Sequence, residues 1–265
     1  MAEIGTVLVR KLGNNESDDC SSGENFMTTA TSIVDWNRIE RFIGFGRLDA
    51  PVVFIGMEEG LKSREGLESD LAIRSAYEGQ IMDLKQAHRG IADADVYFDP
   101  ELATIQRTWR VMADLMLRRE GNLNPSTSDR RRYQALRLGR GDGDTLLTEL
   151  LPYPSPGVKD WLYARFGHYA TREVYMADVL PRRLEMLGAV LAAEPRELVV
   201  CYGKAHWPHY EALFKNVSWH DEGVYRVAEH GKCRVVLTPH FVSSAFNSNA
   251  DLASFAGVAL PGRAL

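Results

Sequence analysis

The sequence predicts an α/β fold: one open sheet of mostly parallel strands with helices on its faces. Three observations carry that reading. Short all-apolar runs rich in β-branched residues recur along the chain and stop at glycine or proline, as strands buried on both faces do. Stretches with helical apolar spacing lie between them. Strand and helix alternate in a way that calls for right-handed crossovers between parallel neighbours. With 265 residues, 45% of them apolar and 25% charged, the chain suits one α/β domain with a substantial core.

The elements follow in order. Residues 13–31 are polar and rich in Ser, Asn and Gly, so 1–31 is expected to be a flexible lead-in to a single domain over 32–265. Ser32 with Asp35 forms a capping signature, followed by Ile33, Trp36, Ile39, Phe42 and Ile43 at helical spacing. The helix they predict ends near Gly44 or Gly46. Four strands are read at 51–56, 146–151, 197–203 and 233–238, the second closed by Pro152, Pro154 and Pro156. Helices are expected over 104–120, 171–193 and 206–214. The stretch 60–103 is polar and interrupted, which predicts an insertion of short helices beside the end of the first strand.

Composition narrows the function. Lys and Arg total 31 against 36 Asp and Glu, a formal charge of -5. That balance argues against a strongly basic nucleic-acid binder, although a local basic groove is compatible with it. No apolar run nears the roughly 20 residues that span a bilayer, and no apolar leader follows the N-terminal charges. Cys20, Cys201 and Cys233 show no CxxC spacing and form no paired framework. The expectation is a reduced, cytoplasmic, soluble protein with no membrane partner, no metal and no cluster.

In open α/β sheets ligands bind beyond the carboxyl ends of the strands. The segments there hold most of the unusual residues of the chain. Gly56, Lys62 and Ser63 fall at phosphate-loop offsets, but Leu61 stands where that loop needs glycine, and Glu58 and Glu59 would repel a triphosphate. As a carboxylate loop, the same segment offers Glu58 or Glu59 as a general base, with Gly56 and Gly60 letting backbone approach a flat ligand. The bland alternative is a pair of solvated glutamates. His240 follows the last strand directly and, kept neutral, can donate to negative charge developing on a substrate. His206 and His209 share a helix face without an evident third metal ligand, so helix start and packing is the favoured role. Lys204 is either a phosphate contact or a solvated lysine. The basic run 130–140, with Arg130, Arg131 and Arg137 around Tyr133, either holds a nucleic-acid backbone or is a solvated helix. Trp109, Tyr153, Trp161 and Tyr163 include candidates for a stacking platform.

Taken in order, these motifs resemble the uracil-DNA glycosylase superfamily. The first strand runs into Phe54-Ile-Gly-Met-Glu-Glu-Gly60, similar to that family's Gly-x-(acid or amide)-Pro-Gly loop, with Glu59 in place of the proline. Thr148-Glu149-Leu150-Leu151 with its following prolines resembles the second motif. Pro195 through Gly203, then Lys204-Ala205, resembles the third, and His240-Phe241-Val242-Ser243 the last, with Phe241-Val242 interrupting a His-Pro-Ser pattern. The resemblance spans roughly 50–246. It implies a three-layer α/β/α fold with a short central, mostly parallel four-stranded sheet, and a pocket for a flipped-out base. It also implies hydrolysis of an N-glycosidic bond to release a damaged or deaminated base, without metal or organic cofactor. Glu58 would handle the attacking water and His240 the oxyanion of the departing base. Base contacts would fall on Gly56, Met57, Glu59, Glu149, Tyr153 and Ser243. Backbone contacts are expected at Lys204, Arg130, Arg131 and Arg137. The partner would be single- or double-stranded DNA, or a free base or nucleoside, bound by a monomer. Glu149 occupies the base-reading amide position, and ionised Glu only accepts hydrogen bonds where Asn also donates. An ionised Glu149 can receive N–H groups from a purine or an amino-substituted base, so a base or nucleoside other than uracil is expected. The alternative is a non-catalytic protein that binds a base, a nucleotide or a protein partner.

Overall fold

Four of the eight strands lie where the apolar runs predict them, and they form the centre of the sheet. The computed structural model describes residues 34–61, 64–89, 91, 93–157 and 160–262. The polar lead-in 1–31, the Ser32 cap and the Lys62–Ser63 pair lie outside the described residues. The predicted strands are β2 (Val52–Gly60), β4 (Thr145–Ser155), β5 (Leu198–Tyr202) and β8 (Cys233–Thr238). They pair in parallel in the order β4-β2-β5-β8. Alternate residues face opposite cores, with Val52, Phe54, Val200 and Val236 on one side and Val53, Ile55, Val199 and Val235 on the other. This is the two-sided burial that continuous apolar strands require.

The expected four-stranded sheet is corrected to eight strands. The full order is β3-β1-β4-β2-β5-β8-β7-β6, with β1 at Gly44–Gly46, β3 at Ile81–Met82, β6 at His220–Glu222 and β7 at Tyr225–His230. The added strands are short and run partly antiparallel, β1 against β4 and the β6–β7 hairpin against β8. β1 also corrects the first helix. α1 spans Trp36–Arg41, capped by Asp35, whose carboxylate accepts from the Arg38 N–H at 3.0 Å. Gly44 and Gly46 are not its stop but a strand pressed against β4. A Cβ on Gly44 would lie 2.0 Å from the Leu147 carbonyl oxygen, and one on Gly46, at φ +111°, 1.9 Å from that of Thr145. β4 continues through Pro152 and Pro154 because β1 pairs only as far as Thr148, so neither proline removes a ladder bond to it.

Helices cover both faces. α4 (Arg107–Arg119) and α8 (Asn249–Ala259) lie on the Phe54 side, through Val111, Met112, Leu252 and Phe255. α6 (Arg172–Ala193) and α7 (Trp207–Glu211) lie on the Ile55 side, through Tyr175, Val179, Leu187 and Tyr210. The 60–103 segment supplies α2 (Leu67–Ser75) and α3 (Leu84–Ala87), the short helices its composition predicts. The basic run belongs to α5 (Thr127–Leu136), opened by a Ser126–Asp129 capping box. No described helix is long and apolar enough to cross a membrane.

Gly46 combines a left-handed backbone with a carbonyl against its Cα. Gly46→Ala is expected to cost more than about 2 kcal/mol of folding stability, read as a lowered midpoint in urea denaturation.

Candidate functional site

The strand order reverses beside β2, since the chain goes from β2 to β4 on one side and then to β5 on the other. A reversal of this kind opens a crevice at the carboxyl ends of the strands. Sheet register fills it. Gly56 pairs with Glu149, Ile55 with Cys201 and Tyr202 with Thr238, so Glu149, Gly56, Tyr202 and Thr238 form one row across four strands. By strand alternation this row faces α4 and α8. Glycine in its middle lets the flanking side chains meet. The Tyr202 hydroxyl donates to Glu149 Oε1 at 2.8 Å. A Cβ on Gly56 would lie 2.0 Å from Glu149 Oε2 and 2.5 Å from the Tyr202 hydroxyl oxygen. The close approach expected at Gly56 is thus made by the chain's own carboxyl and phenol.

Around this pair lies a slot of about 70 Å³, walled by Phe42, Phe45, Trp109, Met112, Leu147, Glu59 and Arg74. Its volume is several times what one water needs, about 10–15 Å³ on the same measure. The Glu149 carboxyl is desolvated, and Glu58 and Glu59 add repulsion. Together they push its pKa up to about 8 against the opposing Tyr202 hydrogen bond. At neutral pH Glu149 is therefore a carboxylic acid, and an acid donates as well as accepts. The sequence argument took Glu149 as ionised. With the carboxyl pKa at about 8, that premise does not hold at neutral pH.

His240 stands one ring away from the slot. It lies edge-on to Tyr202 at 5.6 Å between centroids, and Tyr202 stacks on Phe241 at 4.6 Å. Its Nδ1 accepts from the Val242 N–H at 3.3 Å, which leaves the ring proton on Nε2. Desolvation lowers its pKa, so the imidazole is neutral at pH 7. In the same loop the Ser243 N–H donates to the His240 carbonyl at 2.8 Å, while Ser243 Oγ has no partner.

Glu58 is not in the slot wall. Both its oxygens lie 2.7 Å from Arg172 Nη2 at the start of α6. Desolvation raises its pKa and Arg172 opposes the rise. Glu59 instead faces the slot and pairs with Arg74 at 2.8 Å. Met57 is buried in the opposite core. So is Tyr153, whose hydroxyl lies 2.7 Å from Glu40 Oε1 and 2.6 Å from His168 Nε2, beneath a stack with Tyr175. The structure does not bring Met57 or Tyr153 to the slot.

The arginines of the basic run have internal partners, and of these residues Arg132 and Arg137 are exposed. Arg130 is 4% exposed and binds Asp114 and Asn249, each at 2.8 Å. Arg131 donates to the Ala103 carbonyl, and Arg137 makes a two-pronged pair with Glu120 at 2.6 and 2.7 Å. These partners lie 16 or more residues away in sequence, and they bury Arg130 while leaving Arg137 half-exposed. Lys204 is exposed, with its ammonium 5.3 Å above the Trp207 ring. Among the described residues no group of three metal-ligating side chains converges, His206 and His209 included.

Sequence reasoning missed Tyr202, Arg74 and Arg172. Tyr202 is signalled by alternation along 197–203, once register places it opposite Gly56. The two arginines carry no local signal, because their partners lie 15 and 114 residues away. Buried polar atoms without partners concentrate in this region: Glu149 Oε2, Arg74 Nε, Arg172 Nε and Nη1, and Ser243 Oγ. Only Tyr133 and Arg196 contribute others among the described residues. Unsatisfied groups of this sort mark a place built for something besides packing.

The Glu149 carboxyl also sets a pH dependence. Its pKa is about 8 when folded, against the ordinary 4.5, so within that window the folded chain holds a proton that the unfolded chain releases. Stability is therefore expected to fall by a few kcal/mol between about pH 4.5 and 8 and to level off above. Denaturant midpoints at pH 6 and 8.5 should differ in the wild type, and the difference should shrink in Glu149→Gln.

No protein-family model matches the chain, and no curated protein is found to match it.

Proposed function

We propose that the chain is an N-glycosidic hydrolase of the uracil-DNA glycosylase type, on a three-layer α/β/α frame, that releases a base carried by DNA or by a free nucleoside. One observation carries the reading: a slot walled by Phe42, Phe45 and Trp109 whose floor is Glu149 joined to Tyr202, with His240 one ring away. The base enters this slot and meets Glu149. As the glycosidic bond breaks, negative charge grows on the base, and the Nε2–H of His240 donates to it. Glu58 is the carboxylate for the water that attacks the sugar. The reaction needs no metal ion or organic cofactor in this scheme. With Arg130 buried and Arg131 tied to the Ala103 carbonyl, Lys204 and the half-exposed Arg137 are the expected backbone contacts that solvent reaches. That weighs toward weak, salt-sensitive DNA binding.

A second reading has its own support. Arg172 holds both oxygens of Glu58, and a carboxylate so neutralised is a poorer base. This favours a protein that binds the base without cleaving it.

Base release from labelled single- and double-stranded oligonucleotides and from nucleosides decides between them. The panel carries uracil, hypoxanthine, xanthine or a normal base. Release by the wild type is expected to slow about 10²–10³-fold in His240→Ala and about 10²-fold in Glu58→Gln. If the wild type releases nothing from a panel that a known glycosylase cuts, the hydrolase reading falls and the binding protein takes its place.

A further inference from the structure

Arg172 is a buried cation whose hydrogen-bonding capacity is mostly unused. It opens α6, is 7% exposed, and gives a single nitrogen, Nη2, to both oxygens of Glu58 at 2.7 Å. Its Nε and Nη1 have no partner. A guanidinium has two edges that can make a two-pronged bond, Nε with Nη2 and Nη1 with Nη2. Glu58 sits on the nitrogen common to both, so each edge is left half filled. A buried donor left unmet is costly, and an oxyanion that takes a whole edge removes part of that cost. To take an edge it must take Nη2, and there it meets Glu58.

The surrounding charges favour an anion at this place. His206 is half-buried after β5, with its ring 6.3 Å from that of His209. Burial lowers its pKa, and His209, Arg172 and His240 lie near enough to lower it further. At neutral pH His206 is therefore an uncharged hydrogen-bond donor beside Arg172. Lys204, two residues earlier, is exposed. Glu58 is the carboxylate paired with Arg172, and the next residue, Glu59, is already paired with Arg74. Glu173, on the same turn as Arg172, is exposed and accepts from the Thr171 hydroxyl. A phosphate group has the oxygens to fill one edge of Arg172 and carries more charge than Glu58 with which to compete for it.

We propose that Arg172 is a two-position switch that binds a phosphate group in competition with Glu58. Where the hydrolase reading holds, on which this second part rests, the exchange is what frees Glu58 to act as the base. Arg172 opposes the rise of the Glu58 pKa, so a Glu58 that has lost Arg172 takes up a proton more readily. The contact that weakens Glu58 as a base then becomes a guard, withdrawn when a phosphate arrives.

The test is calorimetric titration of the full chain at pH 7 with inorganic phosphate and with a short abasic oligonucleotide, which has phosphates but no bases. Glu58→Gln removes the competing charge and is expected to bind at least about tenfold more tightly than wild type, the scale of one hydrogen bond to a charged group. The double variant Glu58→Gln/Arg172→Gln, a neutral pair in place of the ion pair, should lose that gain while melting cooperatively. Should either variant fail to fold, two measurements remain. Arg172→Lys keeps the charge but has no two-pronged edge, and should bind several-fold more weakly than wild type. In wild type labelled with carboxyl-13C glutamate, saturating phosphate should raise the pH midpoint of the Glu58 resonance. A gain with inorganic phosphate, with the oligonucleotide, or with both upholds the switch and shows which phosphate it takes. No binding of either ligand, no gain in Glu58→Gln, a gain that survives in the double variant, or an unmoved Glu58 midpoint overturns it. Competition without base release would remove the hydrolase reading and leave the switch. Base release without competition would do the reverse.

Discussion

The site depends on one buried cation whose oxygen partners are all backbone carbonyls. Arg183 projects from α6, 3% exposed, and donates to the carbonyls of Leu150 at 3.1 Å, Glu149 at 2.6 Å, Phe42 at 2.8 Å and Glu40 at 3.2 Å. Burial lowers its pKa to about 10, which leaves it charged at neutral pH. Those four carbonyls belong to the end of α1 with the residue that caps it, and to the middle of β4, which carries the floor of the slot. One guanidinium therefore fixes the backbone of Glu149 and that of Phe42 together, the floor and a wall of the same slot. Such bonds to a charged donor are among the stronger ones in proteins.

Given that clamp, the remaining geometry follows from register. Strands lie about 4.8 Å apart, so two side chains on strands flanking a third meet only if the residue between them has none. Gly56 meets that condition between Glu149 and Tyr202. The meeting takes the carboxyl out of water, and desolvation then raises its pKa. A backbone requirement at one position has become a chemical property at another.

The sequence made the middle of the sheet legible and its margins obscure. β2, β4, β5 and β8 are largely buried on both faces. Each therefore reads as a mainly apolar run with a glycine or proline near its end, interrupted only by residues such as Glu149 and Arg234. β6 is His-Asp-Glu, all exposed, and β1 is two glycines around a phenylalanine. Neither has a pattern that periodicity detects, and both exist because a neighbouring strand offers unpaired backbone. α5 and α8 did leave signals, in the Ser126–Asp129 and Ser248–Asp251 capping boxes, which a stricter search for caps would have found. At the site, Gly56 and His240 stood out because they close apolar runs, and Glu149 because its motif matched the resemblance. The arginines could not stand out in this way. Arg130 looked free in the sequence and is buried on Asp114, whereas Arg74 and Arg172 looked ordinary and are buried beside the carboxylates of the first motif. A charge takes its role from its tertiary partner, and sequence spacing does not reveal that partner.

The borders of the sheet have a consequence for behaviour at high concentration. An open sheet presents unpaired N–H and C=O groups at each edge, and a long flat edge recruits strands from other molecules. Here one edge is β3, two residues long, and the other is β6, three exposed residues whose Asp221 and Glu222 pair with Arg226 and Arg234. A guest strand would gain few bonds at either edge and would meet paired, hydrated charge at β6. The eight-stranded sheet is in effect sealed against growth, so its ends resist the edge-to-edge joining that begins fibrous aggregates.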